Sequence, residues 1–503
     1  MKKFIENHER LTQRSLEMLP GTLTWVLILF PLWGAFFIPK IVAYFTIAFL
    51  VYWLYRSCQS AILGIRGYLK IRNSEKTNWR KKYLQDKNKD SLPWKQIKHV
   101  VLIPNCNESI AVLSKSLEIL ASQKDIDLKQ MVVVLAIEER AIKPHEKAAQ
   151  LLEQFKDKFG YLTAIFHPDG IVGEIKGKAS NEAWAAKEIK KILVNQQQND
   201  IKTITITSCD ADTHFHPQYF SALTYYFALN SQRYYRFWQS PICWHNNYWK
   251  VPAPIRITGT LSNSGYLASI QEPDGLFFNY SSYSTSLYLL DKVGYWDVDI
   301  VPEDWHIFLQ SFFHEGGKVE VEPIFLPTSI DAPEGKTYFS ALKSRYEQCK
   351  RHAWGATDIP YAIKQAINHP EISLLTRFFR VYKVIETHLI WSTNWFILTL
   401  GAWLPALINP FFKQTALSYN LPKISQWILT GCLVFLLVMI LIDRAMRPKV
   451  AKQDLSRWFG LWETIQWVLM PIAALFMSVL PAIDSQTRLM IGKRLEYRIT
   501  EKL

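Results

Sequence analysis

Apolar residues gather at the two ends of the chain. Residues 18–39 carry no formal charge, and after Lys40 a second uncharged run reaches Tyr55; Arg56 is placed to snorkel while residues 57–65 extend the same helix. A bilayer crossing takes about 20 mostly apolar residues, so these runs predict a helical hairpin. Near the other end, residues 389–412, 424–442 and 464–483 are equally free of charge. The pattern therefore predicts about two N-terminal and three C-terminal transmembrane α-helices.

Basic residues orient the spans. The stretch 443–458 carries Arg444, Arg447, Lys449, Lys452 and Arg457, whereas 413–423 has only Lys413 and Lys423. The positive-inside rule puts the former in the cytoplasm, together with the N-terminus and residues 66–388, which an even number of crossings separates from it. The tail conflicts with a fifth crossing, because Arg488, Lys493, Arg494, Arg498 and Lys502 are basic too. Pro471, in the middle of the last run, offers an alternative: a re-entrant or interfacial hairpin. The first 20 residues mix both charges and lead to no small-residue cleavage site, so a removable signal peptide is not expected. The expectation is an integral protein of the cell (inner) membrane with its middle in the cytoplasm.

That middle alternates. Short β-branched or apolar runs at 97–103, 131–137, 161–166 and 202–209 are separated by stretches of helical composition at 108–123, 145–158 and 178–195. Strand, helix, strand at this spacing predicts an α/β domain with a parallel sheet, whose ligands bind beyond the carboxyl ends of the strands. No G-x-G-x-x-G follows a strand, and Gly173 to Ala179 lacks both the P-loop spacing and its hydroxyl. Dinucleotide-binding and P-loop NTPase readings therefore lack support.

The strand ends are acidic. The first runs into Pro104, Asn107 and Glu108, the second into Glu138, Glu139 and Arg140, and the fourth into Asp210 and Asp212. Two carboxylates at i and i+2 past a strand suit a hard divalent cation whose other ligands are phosphate oxygens and water. Spacing alone is weak, since Asp125/Asp127 and Asp297/Asp299 share it; Asp210 and Asp212 differ by ending an unbroken β-branched strand. Glu303-Asp304-Trp305 reads either as a helix N-terminus or as a general base beside a diphosphate site. His214 and His216 read as ordinary loop histidines.

Composition narrows the class. Of 503 residues, 49% are hydrophobic, 20% are charged and 19 are Trp, which excludes a disordered tether. The net charge of +14 suits either nucleic acid or an anionic leaflet. Because the basic residues cluster beside the predicted spans, the bilayer is the expected partner and nucleic acid is not. Residues 66–98 then form a lipid-facing linker, and Phe339 to Trp354 an amphipathic helix at the inner leaflet or in solvent. The aromatics between Tyr234 and Trp249 serve either sugar contact or interfacial anchoring. The six cysteines are scattered, without metal-site or disulfide spacing.

Four ordered motifs resemble membrane-embedded family 2 glycosyltransferases of the cellulose and hyaluronan synthase group: Val101 to Glu108, Cys209-Asp-Ala-Asp212, Pro302-Glu-Asp-Trp305 and Gln348-Cys-Lys-Arg351-His-Ala-Trp354. The tail from Gly492 to Lys502 also resembles that group. The resemblance implies a GT-A fold, a Rossmann-like nucleotide-diphospho-sugar transferase domain, and inverting transfer from a UDP- or GDP-sugar with Mg2+ or Mn2+. By position, Asp210 and Asp212 would hold the metal, with Asp210 also on the donor. Pro104, Asn107, Glu108, Glu138, Glu139 and Lys178 would line the donor site. Asp304 would be the base with Glu303 beside it, and Trp305, Gln348, Arg351 and Trp354 would meet the acceptor. Two departures stand out: Glu138 and Glu139 replace the family's Asp after the second strand, and His352 holds the place of Trp in the last motif. The implied organisation is a hairpin segment (1–66), a GT-A domain (67–336), interface helices (337–387) and C-terminal spans with the basic tail (388–503). The implied acceptor is a polysaccharide or a lipid-linked sugar, which would place the chain in polysaccharide synthesis for the cell envelope, with accessory subunits left open. The rival is a non-catalytic membrane scaffold with a degenerate nucleotide-sugar domain.

Overall fold

The computed structural model describes residues 8–272, 276–448 and 459–495. Lys449, Lys452 and Arg457 of the orienting loop, and Arg498 and Lys502 of the tail, lie outside the described residues. The chain divides into two compact units: residues 67–249 with 270–332, and the remaining segments, which comprise the two ends and residues 250–269.

The first unit is built on β1 (Lys98–Asn105), β2 (Met131–Glu138), β3 (Tyr161–His167), β4 (Ile204–Ser208), β5 (Arg236–Gln239), β6 (Ile242–Cys243), β7 (Tyr283–Ser286), β8 (Glu320–Pro323) and β9 (Thr328–Ser329). Seven of these form one sheet in the order β3-β2-β1-β4-β7-β5-β8, and β6 pairs with β9. Every residue of β2 is buried, as expected of a central strand covered on both faces. Helices Ile110–Ala121 and Lys178–Lys190 lie within two of the stretches of helical composition, and Pro144–Gln154 begins one residue before the third.

The sheet is mixed rather than wholly parallel, because β7 runs antiparallel to both β4 and β5. β7 is Tyr-Ser-Thr-Ser, without the apolar run that marks the other central strands. Its hydroxyls are satisfied internally: Ser284 Oγ lies 2.7 Å from Thr207 Oγ1 and 2.9 Å from Tyr219 Oη, and Thr285 donates to Arg236 O at 2.9 Å. Four of the aromatics between Tyr234 and Trp249 also depart from expectation. Phe237 and Trp238 on β5, with Trp244 and Tyr248, are buried, so they fill the core instead of facing sugar or lipid.

Among the described residues four helices are long and apolar enough to cross a membrane: Glu9–Phe37, Pro39–Ser74, Ala416–Met446 and Gly460–Met490. The expected span at 389–412 is divided among Leu374–Leu400, Leu404–Ile408 and Pro410–Lys413. Pro405 and Pro410 each sit in the first turn of a new short helix, where a missing N–H costs nothing. The last segment stays helical through Pro471, with a 3-10 turn at Gln466–Leu469 before it and a π turn at Leu475–Val479 after it. These local changes absorb the missing hydrogen bond.

Several polar groups buried in the second unit pair with one another. Thr24 Oγ1 lies 2.8 Å from Ser392 Oγ and donates to Gln486 Oε1 at 2.5 Å, while Gln486 Nε2 donates to His388 O at 3.0 Å. Asp443, fully buried at the end of its helix, accepts from Arg447 Nη2 at 2.6 Å and Asn263 Nδ2 at 2.7 Å. Arg447 also pairs with Glu463.

Candidate active site

The sheet register brings the acidic motifs to one edge. β1 is parallel to both β2 and β4, pairing Pro104 with Ala136 and Leu102 with Ser208. All three strands therefore end on the same side, followed by Cys106 to Glu108, Glu139 to Arg140, and Cys209 to Asp212. β7 delivers a fourth segment. Being antiparallel, it begins opposite Ser208, so residues 279–282 arrive at that edge from the opposite direction.

Lys178 opens the helix Lys178–Lys190. Its ammonium lies 3.1 Å from Asp210 Oδ1 and 2.8 Å from Glu303 Oε1, and donates to Ser281 O at 2.8 Å. A cation at a helix N-terminus opposes the helix dipole, and here the two carboxylates outweigh that cost. Burial alone would lower the Lys178 pKa, but Asp210 and Glu303 hold it well above the ordinary lysine value. The ammonium is a fixed positive charge bridging Asp210 and Glu303.

Asp304 stands in the first turn of the helix Glu303–His314. Its Oδ2 accepts from Ser281 N at 3.0 Å and its Oδ1 from Trp305 N at 2.9 Å. Its surface keeps some contact with solvent, yet protein atoms surround the carboxyl group. That burial, and secondly the charge of Glu303, push its pKa up to about 7 against the two backbone N–H groups and Lys178. A carboxylate poised there takes a proton efficiently near neutral pH.

Beneath these groups lies Glu182, fully buried one helical turn after Lys178. Its Oε1 accepts from Ser208 Oγ at 2.6 Å, and among the described residues its Oε2 has no hydrogen-bond partner. Burial pushes its pKa up to about 8, which favours the protonated group. Neither Glu182 nor Ser281 was expected from the sequence. The available signals were the helical spacing of Glu182 from Lys178 and the run of hydroxyl residues from Ser281 to Ser286.

Asp210 Oδ2 accepts from Ser281 Oγ at 2.8 Å, and Asp212 Oδ2 from Asp331 N at 2.8 Å. Among the described residues no group of three or more His, Cys, Asp and Glu side chains could hold a metal ion. Two carboxylates without a softer ligand remain a donor set that fits a hard cation when substrate oxygens complete it. His214 and His216 sit by the following turn, each with its pKa lowered by burial, His216 to about 4.

At the ends of β1 and β2, Glu108 Oε2 accepts from Cys106 N at 2.7 Å and Asn107 Oδ1 from Ile142 N at 3.2 Å. Glu138 pairs with Arg140, and Glu139 lies 3.5 Å from His145. Lys147 Nζ donates to Cys106 O at 2.7 Å. Pro104 is the partly exposed penultimate residue of β1. Trp305 stacks on Phe278 at 4.4 Å between ring centroids. Gln348, Arg351 and Trp354 belong to the other unit. There Gln348 Oε1 accepts from Arg345 at 3.1 Å, and Trp354 is 7% exposed.

No protein-family model matches the chain, and no curated protein sequence does. Solved structures similar to it include the mannosyltransferase PcManGT from Pyrobaculum calidifontis in complex with GDP-Man and Mn2+, at 14% identity and a TM-score of 0.39, covering 83% of this chain and 97% of that one. S. aureus TarS 1-349 in complex with UDP is 12% identical with a TM-score of 0.36, covering 80% and 94%. GalNAc-T7 with UDP, GalNAc and Mn2+ is 12% identical with a TM-score of 0.31, covering 62% and 57%.

Proposed function

We propose that the chain is a membrane glycosyltransferase that moves a sugar with inversion from a nucleotide sugar to a glycan or lipid-linked acceptor at the cytoplasmic face. The observation that carries this reading is the convergence of Asp210 and Asp304 on Ser281. One acid faces the donor side and the other is poised as a base near neutral pH.

In this reading residues 104–108 and 138–140 receive the nucleoside. Mg2+ or Mn2+, held by Asp210 and Asp212, would supply charge neutralisation of the diphosphate. Lys178 holds a permanent positive charge between Asp210 and Glu303, on the path of the departing anion. Asp304 accepts the proton of an acceptor hydroxyl as its oxygen bonds to the anomeric carbon. The bond from that carbon to the diphosphate oxygen breaks, and the nucleoside diphosphate leaves with the electron pair. A single in-line displacement inverts the anomeric centre.

The test is a screen of radiolabelled UDP- and GDP-sugars on membranes carrying the chain, with products sized by gel. A ladder indicates chain extension, and one lipid-soluble band indicates a single transfer. Asp210→Asn and Asp304→Asn are expected to abolish either product. Equal activity in all three proteins would overturn the assignment, and absence of transfer from every donor would favour the scaffold.

A further inference from the structure

Ser281 touches three site residues with three different groups. Its N–H donates to Asp304 Oδ2 at 3.0 Å, its Oγ donates to Asp210 Oδ2 at 2.8 Å, and its carbonyl accepts from Lys178 Nζ at 2.8 Å. Its φ is +56°, in the left-handed region that residues other than glycine rarely adopt. The three partners come from separate segments of the chain: the start of one helix, the loop after β4 and the start of another helix.

We propose that Ser281 is a positioning residue whose left-handed backbone locks the donor-side acid Asp210, the base Asp304 and Lys178 into one arrangement. This assignment rests on the transfer reading for its catalytic meaning, while its geometry stands apart from that reading.

The neighbours of Ser281 are fixed by side chains on both sides. Asn279 Nδ2 donates to Asp304 O at 2.8 Å, and Gln239 Oε1 accepts from Tyr280 N at 2.9 Å. Ser282 Oγ accepts from Asp210 N at 3.3 Å, and Gln239 Nε2 donates to Ser282 O at 3.2 Å. Tyr283 then enters β7 opposite Ser208. The backbone is held before and after residue 281, which is how a sparsely populated conformation persists. With an ordinary negative φ the N–H would swing away from Asp304, and only the charge of Lys178 and the Trp305 N–H would remain to oppose burial and Glu303.

Glycine and alanine separate the parts of this arrangement. Both lack the hydroxyl, but glycine relieves the strain of a Cβ in the left-handed region, whereas alanine keeps the strain that serine bears and loses the bond to Asp210 that offsets it. The full chain in lipid nanodiscs serves for each measurement. In Ser281→Gly, binding of UDP or GDP with Mn2+, read by calorimetry, is expected to weaken several-fold, and the acidic limb of the kcat profile to stay near the wild-type pH. In Ser281→Ala, the same weakening is expected with a lower kcat and an acidic limb moved up by about half a pH unit, as the N–H leaves Asp304. The melting temperature should fall in the alanine variant relative to the glycine variant.

Equal melting temperatures for the two variants together with wild-type nucleotide binding would overturn the proposal. So would an acidic limb displaced equally in both. If the wild-type chain transfers no sugar from any donor, the transfer reading fails; nucleotide binding and the melting order still decide the role of Ser281.

Discussion

Lys178 and Glu303 form a 2.8 Å ion pair whose side chains are only 10% and 11% exposed. Removing one partner of such a pair leaves an uncompensated buried charge. Lys178→Met is therefore expected to lower stability by about 3–5 kcal/mol, and Lys178→Arg by less. The unfolding midpoint of the detergent-solubilised chain checks this. Transfer should fall by on the order of 100-fold, as for loss of one charge-stabilising donor.

Asp304 gives the site its pH dependence. Burial and Glu303 raise its pKa to about 7, and in the proposed transfer Asp304 must be ionised to accept a proton, so kcat is expected to rise with pH through that value. Asp304→Asn should cost on the order of 10²–10⁴ in kcat with little change in donor KM. Stability runs the other way. A raised pKa contributes stability below the unfolded value near 3.8 and loses it as pH rises through about 7. The Asn variant should lack that decline, and melting curves between pH 4 and pH 8 would reveal it.

Glu182 is expected to work as a neutral acid. Glu182→Gln keeps a group of the same shape to accept from Ser208, and should retain transfer at neutral pH within a few-fold. Glu182→Ala removes that bond and should lose kcat. The raised pKa contributes stability below 4.5 that is lost as pH rises through about 8, so the Gln variant should gain on the wild type across that interval. A Gln variant as damaged as the Ala variant would show that the charge itself is needed.

In the membrane-helix unit, Arg447 is 4% exposed between Asp443 at 0% and Glu463 at 9%. Arg447→Met strands two buried carboxylates and should cost about 3–5 kcal/mol. Replacing Asp443 and Glu463 as well by apolar residues should recover part of the loss. Unfolding midpoints in detergent of the single and triple variants measure both effects.

The sheet strands with unbroken apolar runs were legible because parallel central strands must be apolar on both faces, as in Met131–Glu138. β7 was not legible, since Tyr-Ser-Thr-Ser satisfies its hydroxyls on partners far away in sequence. The position of Asp210 after a β-branched strand pointed to its place at the sheet edge, and Asp304 was readable as a helix-start acid. Their meeting at Ser281 was hidden because it depends on the direction of β7 and on one φ angle. The apolar run at 389–412 contains no charge, but Pro405 and Pro410 restart the helix, and length alone does not reveal that.

Residues 250–269 leave the sheet unit after β6 and return before β7, and their helix Ala253–Ser269 is bound by Asp443 and Met439 through Asn263 and Ser264. A fragment cut only at residues 67 and 332 would thus carry Ile255, Ile257 and Leu267 away from the neighbours that bury them. Making the sheet unit as an independent polypeptide calls for an internal excision as well, with a linker joining Trp249 to Ile270 in place of that excursion.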